Sequence, residues 1–211
     1  MLLRANKIGS ECFRLWKACD AQIGDDFHIN TEESEAKYFG VLTKIFNVAR
    51  CASQFDAPDD PEQPPKDLAP EDRWILAEFD HVMTRVEDAW SRIDIYTAAQ
   101  AIKGFGTGIF PSHWLEMTKS RLYDGNAAAT WTLHRVVRDL LSALTPICPF
   151  FTHYLSTTLY GHSAVDARSF PRLPAGAVEE GADAFKALTP STADFHSSVW
   201  TLTKHSVISL K

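Results

Sequence analysis

Leu133, Val136, Val137, Leu140, Leu141 and Leu144 recur at the three- and four-residue spacing of one wide helical stripe. A stripe of that width must be covered by other helices, and no segment shows the alternation of a strand ladder. The pattern therefore predicts an all-α fold, an antiparallel bundle of about five or six helices. The 211 residues are enough to bury a genuine core.

The remaining punctuation is consistent with that build. Cys12, Leu15, Trp16 and Cys19 fit a short amphipathic helix from Ile8 to about Ala21, and Thr31 is placed to cap a longer one running to about Gln54. Residues 55–70 (FDAPDDPEQPPKDLAP) hold five prolines and a cluster of acids, which predicts an exposed connection between two helical blocks. Pro70 then starts a helix whose apolar positions are Ile75, Phe79, Val82, Val86, Ala89 and Ile93. Asp94 caps the next, which Gly104, Gly106, Gly108 and Pro111 are expected to weaken or kink before SHWLEMTKSRLY resumes. Asn126 caps the helix of the wide stripe, TPICP breaks it, and Gly161 stops the one after. A last helix from about Thr192 would align Phe195, Val199 and Leu202. The expected organisation is a junction segment and short helix over 1–30, a bundle over 31–175 and a C-terminal helix over 176–211.

Composition narrows function mainly by exclusion. No apolar run could span a membrane, and the opening MLLRANKIGSE is too short in apolar residues for an export signal, so a cytoplasmic home is expected. Cys12, Cys19, Cys51 and Cys148 form no C-x-x-C pair and the histidines show no ligand spacing, so no metal site is expected. The cysteines read as free thiols of a reducing compartment. GFGTG at 104–108 follows no strand and precedes no G-K-[ST], which argues against a phosphate loop. No nucleophile sits in a G-x-S-x-G elbow, and the paired acids Asp25/Asp26 and Asp59/Asp60 lie in turns, so no catalytic residue is assigned.

A net charge of −6 argues against a general polyanion-binding surface, and attention moves to where the bases sit. Projecting residues 37–54 onto a helix gathers Val41, Leu42, Ile45, Val48, Ala49 and Ala52 on one face. The other face carries Lys37, Gly40, Thr43, Lys44, Asn47, Arg50, Cys51 and Gln54, without an acid. Such a stripe suits a phosphate backbone or base edges, and equally an ordinary solvated face. Lys119 and Arg121 add base nearby, and Arg135 and Arg138 are expected on the outer face of their helix.

KIGSECFRLW, IGDDFHI, FGVLTKIFNVARC, LEMTKSRLY, TLHRVVRDLLSALTPICPFFTHYLSTTLYG, SFPRLP and SSVWTLTKHSVISLK stand in the order of the post-catalytic region of class I aminoacyl-tRNA synthetases. The chain resembles the valyl branch most, from about Lys7 to Lys211. The resemblance implies the helical anticodon-binding domain, which grips the anticodon stem-loop of a tRNA for a catalytic domain that attaches valine with ATP and magnesium. By position it implies that Lys44, Asn47 and Arg50 face the anticodon arm. With Lys37 among the phosphate contacts and Lys119 and Arg121 beside them, these form the expected tRNA-binding set.

Three positions depart from the family pattern. Cys51 stands where an aromatic is frequent, Thr107 where tryptophan is usual, and Pro111 where cysteine is usual. HIGH- and KMSKS-type signatures are absent, so these residues alone would not activate an amino acid. The chain then reads as an excised part of a synthetase, with an isoleucyl or leucyl relative, or a free-standing helical paralogue that binds RNA or protein, as the alternatives.

Overall fold

The computed structural model describes residues 9–20, 31–163 and 170–178, with residues 189–191, 194, 195, 197, 198 and 201 of the C-terminal segment. Among these, the elements are α1 (Ser10–Asp20), α2 (Thr31–Ala52), α3 (Pro70–Ser91), α4 (Ile95–Gly104), a π-helix (Phe105–Trp114), α5 (Leu115–Tyr123), α6 (Ala127–Leu144) and α7 (Pro149–Tyr160). The described residues contain no strand, and none of their helices is long and apolar enough to cross a membrane.

Local chemistry sets most of the boundaries. Pro70 opens α3, and the Asp72 carboxylate reaches back to accept from the Ala69 N–H at 3.2 Å. Asp94 accepts from the Thr97 N–H at 3.0 Å to cap α4, and Asn126 accepts from the Ala129 N–H at 2.9 Å to cap α6. Gly161, at φ +71°, closes α7 in the left-handed conformation. Thr31, expected as the cap of α2, is the first residue of that helix. Of the expected C-terminal stripe, Phe195 is exposed, and Val199 and Leu202 are also outside the described residues.

α6 is the axis of the bundle. Leu133, Val136, Leu140 and Leu141 are fully buried as their spacing predicts, but His134, Arg135 and Asp139 are buried too. The segment 55–70 explains this, because it is laid over α6 while its acids stay exposed as its composition predicts. The His134 Nε2 donates to the Phe55 carbonyl at 3.0 Å, and Arg135 donates to the Pro61 carbonyl and pairs with Glu62 and Asp139, each pair at 2.8 Å. Arg135 is thus an interior strut and not the outer-face residue its position suggested, because the covering segment brings Glu62 to it and the stretch around residue 172 brings the Arg172 carbonyl. Burial pushes the Asp139 carboxyl up to about 6 against the lowering effect of Arg135, and burial holds His134 below the usual histidine range.

α1 shares the same core through Cys12, Leu15, Trp16 and Cys19. Its Glu11 accepts from the Phe151 N–H at 3.0 Å, and its Arg14 donates to the Ile147 carbonyl at 2.6 Å. One short helix thereby caps the start of α7, whose own N-cap residue, Cys148, makes no side-chain capping bond.

Two positions depart from the expected helix phasing. Ile93 was placed on the buried face of α3, yet it is 73 % exposed at φ +58°. It closes α3 in a Schellman turn, with its N–H on Trp90 O and the Asp94 N–H on Ala89 O. The glycine- and proline-bearing stretch interrupts the α-helix by widening into the π-helix, which runs through Pro111. Proline has no N–H to give an i−4 bond, and the wider turn aligns Phe105, Phe110 and Trp114. Their rings stack at 5.6 and 5.2 Å between centroids. Gly106, within this turn, lies so close to its neighbours that a Cβ would meet Leu140 Cδ2 at 3.2 Å and Ile45 Cγ1 at 3.7 Å.

Candidate nucleic-acid interface

α2 shows the two faces that its sequence predicts. Leu42, Ile45, Val48, Ala49 and Ala52 are buried, Val41 is half-buried, and Lys37, Gly40, Thr43, Lys44, Asn47, Arg50 and Gln54 face solvent. From Ala36 to Gln54 the helix and the turn that ends it contain no acid. The structure adds two residues that the projection left out, Phe39 (64 % exposed) and Phe46 (37 % exposed). Phe39, Thr43, Phe46 and Arg50 follow an i, i+4, i+7, i+11 row, so the spacing itself carries these aromatics to the basic side of the helix, although large aromatics are by default core residues.

The six expected site residues fall into different settings. Lys44 reaches the Thr107 carbonyl of the π-helix at 3.4 Å, Asn47 and Arg50 are exposed, and among the described residues no acid pairs with Lys44 or Arg50. Lys37 is on the same face but bonds to Asp20 at 3.0 Å, with its ammonium 5.0 Å from the Tyr38 ring. Lys119 bonds to Glu116 at 2.6 Å in an exposed pair, a weak tether. It is near enough to Cys51 for its charge to be felt at that thiol, which burial pushes up.

Arg121 is not on this surface. Its guanidinium turns into the fold and binds Glu71 at 2.8 Å, Asp72 at 2.6 Å and Asn126 at 3.0 Å. Asp72 is fully buried and also accepts from the Trp114 indole, so Arg121 neutralises an interior carboxylate. The hydrogen bonds that Arg121 donates to Asp72 raise the guanidinium above its ordinary value.

Beside the stripe, a cleft of about 520 Å³ opens between α2, the π-helix and the C-terminal segment. Lys44 and Asn47 form one wall, Thr107 and Ser112 another, and Ser197 and Thr201 the third. Sequence spacing could not reveal this grouping, since its walls come from three distant parts of the chain. The C-terminal segment is held across the bundle at Thr189, whose hydroxyl accepts from the Trp74 indole at 3.0 Å and donates to Glu78 at 2.9 Å.

Comparison with known proteins gives this surface a context. Over 209 residues the chain is 32% identical to the valine-tRNA ligase of Pyrobaculum aerophilum, a match covering 95% of this chain and 25% of that protein. It is 33% identical over 159 residues to the valine-tRNA ligase of Saccharolobus solfataricus, covering 75% of this chain and 18% of the relative. The chain thus spans about a quarter or less of these relatives' length. Among solved structures, the fold is similar to LeuRS from Agrobacterium radiobacter K84, determined as a ternary complex with tRNA and LeuAMS. That similarity has a TM-score of 0.65 at 16% identity, over 84% of this chain and 21% of that one. Residues 72–194, more than half of the chain, match the family described as the anticodon-binding domain of tRNA ligase, and the chain belongs to that family.

Proposed function

We propose that this chain is the anticodon-binding part of a valine-tRNA ligase, and that the outer face of α2 docks the anticodon stem-loop of the valine tRNA. The observation that carries the reading is the acid-free row of Lys44, Asn47 and Arg50 in a protein of net charge −6. Lys44 and Arg50 contact phosphates, Asn47 contacts base edges, and Phe39 and Phe46 offer faces on which unpaired bases stack. Lys37 and Lys119 are exposed ion-paired bases that phosphates can recruit, whereas Arg121 acts from within the fold. The relatives' shared name favours valine over isoleucine or leucine.

On this reading the work is cytoplasmic, and attachment of valine belongs to a catalytic part elsewhere in the ligase, which uses ATP and magnesium. The residues here do not fit either group. The described residues contain no His/Cys/Asp/Glu cluster able to hold a metal, and Gly104–Gly108 lie within helix instead of forming a phosphate-cradling loop.

Replacing Lys44 and Arg50 with alanine should weaken binding of a valine tRNA transcript in a filter assay by about tenfold or more. The log affinity against log salt slope should become shallower by roughly one to two. Unchanged affinity and slope would overturn the assignment of this face. Competition with isoleucine and leucine tRNAs should leave the valine tRNA preferred; equal competition would remove the valine specificity.

A further inference from the structure

A second groove, of about 690 Å³, runs between α1, the turn that joins α3 to α4, and the turn between α6 and α7. None of its lining comes from α2. Its apolar walls are Phe13, Trp90, Ile93, Ile95, Tyr96 and Ile147, and its cations are Arg14, Lys17 and Arg92. We propose that this groove binds a small amphipathic anion, a planar apolar body carrying one acidic group, independently of tRNA.

The turn is what points to a ligand. Ile93 closes α3 at φ +58°, in the left-handed region, where a β-branched side chain is strained. The same side chain is 73 % exposed, and Ile95 beyond it is 42 % exposed. Glycine would close such a turn without strain, as Gly161 closes α7. The turn therefore costs the fold twice, in backbone strain and in apolar surface left in water, and both costs fall on the rim of one groove. An occupant that covers the rim recovers the second.

Charge gives the sign of that occupant. Arg14 donates to the Ile147 and Pro146 carbonyls at 2.6 and 3.2 Å, bonds that orient its guanidinium without neutralising it. Glu11, three residues before Arg14, is committed to the Phe151 N–H at 3.0 Å. Asp94 is the carboxylate of the lining, and it is occupied in capping α4 through the Thr97 N–H at 3.0 Å. Three cations thus stand against one engaged carboxylate in a chain of net charge −6.

Size and composition fix the rest. The volume lies within the roughly 300–1,000 Å³ range of small-molecule sites, and aromatic walls with a few placed charges are the make-up of such sites. Phe13, Trp90 and Tyr96 offer rings for a flat body to lie on, and the cations take its acidic group.

The probe is anilinonaphthalene sulfonate, an aromatic body with one sulfonate, titrated by fluorescence against the parent chain, Ile93→Gly and Arg92→Gln. Phenylnaphthylamine, the same body without the sulfonate, is titrated alongside. The parent should bind one sulfonate per chain saturably, and the neutral analogue about fivefold more weakly, as loss of an exposed ion pair dictates. Arg92→Gln should weaken the sulfonate by a similar factor and leave the neutral analogue unchanged. Ile93→Gly should weaken both by about tenfold while raising the unfolding temperature by about 2–4 °C, because an apolar contact goes and the strain with it. A loss of binding that accompanies a gain in stability does not come from a damaged fold. Absence of saturable binding by the parent, or equal binding by all three chains, overturns the proposal. So does displacement of the probe by a valine tRNA transcript, which would assign the groove to RNA. A parent dimer in sedimentation that Ile93→Gly makes monomeric would overturn it too, by giving the groove to a second copy.

Discussion

The bases of α2 and those of α5 and α6 bear the same charge in opposite surroundings. Lys44 and Arg50 lie along a helix face without acids, whereas Arg121 and Arg135 are enclosed by Glu71, Asp72, Glu62 and Asp139. The difference teaches that a helix's basic residues reveal little until the acids of other segments are placed around them. Arg121 is separated by 49 residues from Asp72, and Arg135 by 73 from Glu62, so neither pairing is visible in a local window.

The largest effect should come from the enclosed set. Arg121→Ala would leave Asp72 buried without its main partner and should destabilise the fold by about 3–5 kcal/mol. Denaturant unfolding measures this directly, and a loss below about 1 kcal/mol would erase the contrast between the two groups. Arg121→Lys should recover only part of the stability, because an ammonium cannot reproduce the guanidinium's bonds to Asp72 and Glu71 together.

A smaller, pH-dependent effect tests the same buried region. The folded pKa of His134 lies below the unfolded value of about 6.5, so its contribution is full above that value and declines as pH falls. Asp139, raised to about 6, works the other way: its contribution is present at low pH and is lost as pH rises through 6. Stability measured from pH 7 to pH 5 should therefore rise on acidification in His134→Gln, while the parent shows a flatter or falling profile. Parallel profiles would show that His134 takes up its proton equally in the folded and unfolded chain, so that folding does not lower its pKa.

The smallest stability change belongs to the stripe. Lys44→Ala and Arg50→Ala should each shift unfolding by no more than about 0.5 kcal/mol, because exposed bases without acidic partners contribute little to the fold. A loss comparable to that of Arg121→Ala would place them in the architecture and remove them from recognition.

The local features of the fold were legible in the sequence because they are written by neighbours. Asp94 and Asn126 cap as their positions predict, Gly161 closes α7, and the apolar face of α2 is the buried one. What escaped depends on distance along the chain. The proline-rich connection is exposed as its composition predicts, but its contacts with His134 and Arg135 join residues more than 70 positions apart. Ile93 continued an apolar period, but the turn it occupies overrides that period. Of the site, the polar face of α2 was readable, and the cleft was not, since Ser197 and Thr201 meet Lys44 only in the folded chain.

The close fit at Gly106 gives this arrangement a lever. The hydrogen at its Cα faces both Leu140 of the axial helix and Ile45 on the inner side of α2. A single added methyl group there would press on the end of the Leu140 side chain, which would have to give by a few tenths of an ångström, and would rest in ordinary contact with Ile45, on the helix whose opposite side carries Lys44, Asn47 and Arg50. The side of the fold that a one-carbon change at this buried position loads first is thus the axial helix, not the helix that bears the basic row.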